Sequence, residues 1–108
     1  MRLINRDNID SSHPFGKRRE PRAVAHVPLF LSPLDGSFEK CQVETENVSC
    51  SGVRVICNLK LQPGALVEVS SLDERFLATA VICYSFPIDE GWVLGINFLD
   101  KTGHWIVS

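Results

Sequence analysis

Residues 91 to 98, Gly-Trp-Val-Leu-Gly-Ile-Asn-Phe, place Trp92, Leu94, Ile96 and Phe98 on one face and Val93, Gly95 and Asn97 on the other. A two-residue period belongs to a half-buried β-strand, whereas a helix repeats its apolar stripe every three or four positions. Five further segments read as strands, so that strands are expected at about residues 22–31, 37–48, 52–58, 65–71, 75–86 and 91–98. Between them lie the turn signals SPLDG, NLKLQPG, SLDE and PIDEG, rich in the residues that reverse a chain. Short, evenly spaced strands favour antiparallel neighbours and a small barrel or sandwich. The expected fold is all-β: a six-stranded antiparallel barrel over residues 17–108, preceded by a mobile basic arm at 1–16 and followed by a short tail.

A chain of 108 residues with 44% hydrophobic content is long enough for one domain with a modest core. No apolar run approaches the roughly eighteen residues needed to cross a bilayer, and the first ten residues lack the apolar stretch of a secretory signal. The expectation is a cytoplasmic protein without membrane insertion. Cys41, Cys50, Cys57 and Cys83 contain no CxxC spacing and follow no secretory signal, so free thiols are expected, with Cys41, Cys57 and Cys83 acting as small hydrophobes in strands. No metal or cofactor is indicated.

The charge is unevenly placed. Residues 1–22 hold six basic groups against three acidic ones, a balance of +3, whereas residues 23–108 hold five against ten, a balance of −5. Such an acidic body does not suit a general nucleic-acid binder, which combines a basic groove with exposed aromatics. Lys17, Arg18, Arg19 and Arg22 crowd the end of the arm, and Pro21 keeps Glu20 out of helix. No GxSxG elbow, P-loop, HExxH or paired-carboxylate constellation appears, so an enzyme is not expected.

A second unusual stretch is Glu-Asn-Val-Ser-Cys-Ser-Gly-Val-Arg-Val at 46–55, where the second strand passes to the third. A plain hairpin favours a two-residue Asn-Gly or Asp-Gly turn, but here Asn47, Ser49, Ser51 and Gly52 spread small hydrogen-bonding groups over six residues. Taken singly, these residues suit an Asx or serine turn, with Gly52 supplying a positive φ or a bulge. Likewise, four clustered basic groups suit a solvated tail.

Together the two stretches resemble the PilZ domain family, whose pattern is RxxxR followed some twenty to thirty residues later by (D/N)xSxxG. Arg18 and Arg22 match the first motif, and Asn47, Ser49 and Gly52 match the second, with supporting matches in GVRV, LQPGALVEV and GINF. The resemblance implies a six-stranded barrel that binds cyclic di-GMP through Arg18, Arg22, Asn47, Ser49 and Gly52 and signals to a downstream protein. The alternative is a family member that serves as an interaction adaptor without nucleotide.

The residue chemistry fits the first reading. Each arginine presents a planar fork that can pair with phosphate or with guanine O6 and N7 and can stack on a base. In an extended arm, Arg18 and Arg22 stand about 13 Å apart, enough to bracket a dinucleotide. Arg19 lies outside the spacing and adds positive field. Asn47 offers an acceptor and donors, Ser49 a rotatable hydroxyl, and Gly52 room for close approach. Two departures stand out: Asn47 replaces the aspartate of many members, losing charge assistance toward a guanine edge. In addition, only ten residues follow Phe98, too few for the C-terminal helix common in the family, so Trp105 and Ile106 are expected to cap the barrel or meet a partner.

Overall fold

The computed structural model describes residues 21–107, so the arm at 1–16, Lys17, Arg18 and Arg19 lie outside the described residues. Seven strands run in order: β1 (Ala23–Val24), β2 (Pro28–Pro33), β3 (Cys41–Ser49), β4 (Gly52–Cys57), β5 (Leu66–Ser71), β6 (Phe76–Ile88) and β7 (Gly91–Gly103). Every pairing is antiparallel. The order β3-β2-β5-β6-β7-β4 returns to β3, so six strands form a closed barrel and β1 lies beside β3 as an extra strand. Closure removes the exposed edges that would otherwise recruit other chains.

The alternation read from the sequence is the alternation that fills the barrel. Val53, Val55 and Cys57 of β4 point inward, as do Val67 and Val69 of β5 and Ala78, Ala80 and Ile82 of β6. Small faces large across the β5–β6 ladder, where Val67 sits opposite Ala80 and Val69 opposite Ala78. Leu29 and Leu31 of β2 are fully buried, each contributing about 1.5–3 kcal/mol through removal of apolar surface from water. Leu59 and Leu61, in the connection from β4 to β5, pack on the same core.

The largest differences from the sequence reading lie at three places. The first expected strand, 22–31, is divided into β1 and β2 because Thr45 interrupts the ladder. Its Oγ1 accepts from the Val27 amide at 2.8 Å and donates to the Ala25 carbonyl, filling the gap that the break opens. The second strand starts at Cys41, four residues later than expected, after a turn around Gly36, whose φ is +74°. The last strand runs on to Gly103 instead of ending at Phe98, because residues 100–103 pair with residues 76–79 at the start of β6.

The tail is therefore shorter than expected, and Trp105 closes it onto the core. Its ring stacks on Phe76 at 4.5 Å and meets Phe98 edge-on at 5.2 Å, so Trp105 caps the barrel, whereas Ile106 is 52% exposed.

The cysteines divide by environment. Cys57 is buried, Cys41 half-buried and Cys83 exposed, the last contrary to the reading of Cys83 as a core hydrophobe. Partial burial and the neighbouring Cys57 push the Cys41 thiol up to about 11 from an ordinary 9.0, which lowers its thiolate fraction near pH 8 about a hundredfold. Because the folded chain holds this proton more tightly than the unfolded chain, its contribution to stability is complete below about 9 and is lost as pH rises toward about 11. Iodoacetamide at pH 8 is expected to modify Cys83 at least tenfold faster than Cys41. Equal rates, read by peptide mass, would contradict this assignment of environments.

Candidate functional site

The second motif sits on a hairpin tighter than its composition suggests. Ser49 pairs with Gly52, so the loop is only Cys50 and Ser51, and the spread of polar residues comes from a β-bulge in the strand before it. The register passes from Thr45↔Val55 to Asn47↔Arg54, leaving Glu46 as the extra residue. The bulge has a consequence for Asn47: Val43 and Thr45 are buried, and unbroken alternation would carry Asn47 inward as well. Instead the phase shifts, Val48 enters the core, and Asn47 stays at the surface.

Strand β1 brings the end of the first motif to the same place. Val24 pairs with Asn47 and Ala23 with Val48, and the guanidinium of Arg22 donates to Asn47 Oδ1. The two motifs, far apart in sequence, are thus joined side chain to side chain. Nearby, Glu46 and Arg54 form an ion pair at 3.1 Å, though not in hydrogen-bond alignment. Such a surface pair contributes no more than about 1 kcal/mol.

Arg22, Ser49 and Gly52 help to line an open cleft of about 470 Å³, and Asn47 is not among its lining residues. Ser49 is buried, and its hydroxyl donates to the Gly52 carbonyl at 3.3 Å, the turn-type bond read as one alternative from the sequence. Gly52 has no left-handed backbone, since positive φ among the described residues is confined to Glu74, Gly36, Gly64, Gly91 and Gly103. Its requirement is spatial: a Cβ there would run into the carbonyl oxygen of Ile96 on β7. Gly52 lets two strands approach at the base of the cleft.

Sequence reasoning missed the rest of the lining contributed by β6 and β7, including Cys83, Tyr84, Gly95 and Asn97. A mid-strand glycine marks the close approach of something bulky, so Gly95 was a signal. Tyr84 carried none, because its parity with Ala78, Ala80 and Ile82 pointed inward. Also unforeseen was the anchoring of the hairpin by the C-terminal segment. Trp105 Nε1 donates to the Ser49 carbonyl at 2.8 Å, Lys101 Nζ to that of Cys50, and the Phe98 amide to that of Ser51 at 2.8 Å. Three successive hairpin carbonyls are held this way, which fixes the second motif rigidly against the barrel.

Among the described residues there is no group of three or more potential metal ligands, and no helix long and apolar enough to cross a membrane. The family model described as PilZ domain matches residues 16–104. Among solved structures, the chain is similar to the Bacillus subtilis inhibitor of motility MotI/DgrA, with a TM-score of 0.65 and 19% identity over 78% of this chain. At that identity the likeness speaks to the fold, and the match spans only 43% of the other protein. No curated protein matches the chain. Because the family model takes in both motifs and every strand from β1 to β7, the chain belongs to the PilZ domain family.

Proposed function

We propose that this domain is a receptor for cyclic di-GMP, holding it through Arg18, Arg22, Asn47, Ser49 and Gly52, and that it passes its occupancy to a protein partner in the bacterial cytoplasm. The observation that carries the reading is the Arg22–Asn47 hydrogen bond, which joins the two motifs beside an open cleft. It holds a guanidinium where a phosphate or guanine edge would meet it. Membership of a family of receptors and adaptors supports the same reading. Among the described residues, the cleft brings together an arginine, small polar groups and an aromatic ring, a set suited to recognition.

Arg18 completes the clamp from the arm. With Arg22 fixed to the barrel through β1 and Asn47, the arm can fold over a ligand and bring Arg18 to its far side. Ordering the arm costs on the order of 1–2 kcal/mol per residue, which charge-assisted contacts to the ligand must offset. The expected result is slower tryptic cleavage after Lys17, Arg18, Arg19 and Arg22 when cyclic di-GMP is added, with little protection by GMP at the same concentration. Unchanged cleavage under saturating ligand, followed by mass spectrometry, would refute the clamp.

A further inference from the structure

We infer that Tyr84 is a base-stacking residue of this site, an aromatic ring lining the same cleft as Arg22 against which a guanine of the ligand lies. The inference rests on the cyclic di-GMP reading and adds to it a residue outside both motifs.

Four observations place the ring. Strand β6 carries a bulge at Cys83, where the register passes from Ile82↔Ile96 to Tyr84↔Gly95. Ile82 points into the core, so unbroken alternation would bury Tyr84 too; the extra residue reverses the phase and turns the ring to the outer surface. Gly95 then provides the seat: a Cβ on Gly95 would fall on the Cδ2, Cε2 and Cζ atoms of Tyr84, so the ring lies directly over the bare α-carbon of β7. Seated there, Tyr84 still keeps 37% of its surface exposed and lines the same cleft as Arg22, Ser49 and Gly52.

That placement sets the chemistry. An aromatic ring supported beneath by backbone offers a base an outer face at low entropic cost, since the ring is already in place. Stacking on a side-chain ring accepts any base by its π-face, and Arg22, which lines the same cleft, supplies both a second plane and the charge for phosphate. The cleft of about 470 Å³ falls within the usual size of small-ligand sites. The bulge at Glu46 turns Asn47 outward and the bulge at Cys83 turns Tyr84 outward. One break thus seats the partner of Arg22, and the other brings Tyr84 into the cleft that Arg22 lines.

The test uses the full chain and cyclic di-GMP. Tyr84→Leu is expected to weaken binding about tenfold or more, whereas Tyr84→Phe stays within about twofold of wild type. Gly95→Ala keeps the tyrosine but lifts it from its seat, and is expected to lose affinity in the same direction as Tyr84→Leu. Tyr84 is the only tyrosine in the chain, so ring-labelled tyrosine gives one set of NMR signals, which should shift on adding ligand. Tight binding by wild type with equal affinity in Tyr84→Leu, and unmoved ring signals, would overturn the stacking role and leave the receptor reading standing. No binding by wild type would overturn both.

Discussion

Titrated with cyclic di-GMP in a calorimeter, the wild-type domain is expected to give a saturable isotherm, and Arg22→Ala and Arg18→Ala each to lose at least about a hundredfold in affinity. The magnitude comes from the bonds removed: a hydrogen bond to a charged group contributes about 1.5–3 kcal/mol, and a bidentate fork makes two. Arg22→Ala carries a second consequence, because it also releases Asn47 from its partner. Folding should be unaffected, since Arg22 is exposed and precedes the first strand, and an exposed side chain of this kind rarely shifts stability by more than about 0.5 kcal/mol. Arg22→Lys should not restore binding, because a lysine keeps the charge but not the planar fork. Full affinity in both alanine variants, with folding intact, would remove the receptor assignment and leave the adaptor reading.

The legible and the hidden parts of this fold divide along one physical line. Uninterrupted alternation was readable, and β4 and β5 begin and end within a residue of their expected limits. The motifs were readable because arginine, asparagine, serine and glycine at fixed spacings carry their chemistry in their identity. Irregularities were not readable, since a bulge is decided by the partner strand. Neither Glu46 nor Cys83 differs locally from its neighbours, yet each reverses the inward–outward phase of the residues after it. The division of the first strand likewise depends on Thr45, a residue on the opposite side of the ladder. The motif share of the cleft lining was readable, while the share from Tyr84 over Gly95 exists only once β6 and β7 are paired.

Gly52 shows how one residue can serve both ligand and fold, and Gly52→Val separates the two. Its Cβ position is occupied by the Ile96 carbonyl oxygen, a backbone atom that cannot swing aside as a side chain would. Gly52 pairs with Asn97 in the β4–β7 ladder and with Ser49 across the hairpin, so any retreat breaks hydrogen bonds on two sides. Overpacking against backbone costs about 3 kcal/mol, the upper end of the usual range, and for a domain of this size each kcal/mol lowers the melting temperature by about 4–8 °C. Gly52→Val should therefore melt at least about 12 °C below wild type, and Gly52→Ala should also be measurably destabilised, because the clash begins at the first added carbon. Ser51→Ala, in the two-residue loop, should shift stability by no more than about 1 kcal/mol. If instead Gly52→Ala melted with wild type and lost only its affinity for cyclic di-GMP, β7 would have to yield at Ile96 without cost. The glycine would then serve the ligand and not the close approach of the two strands.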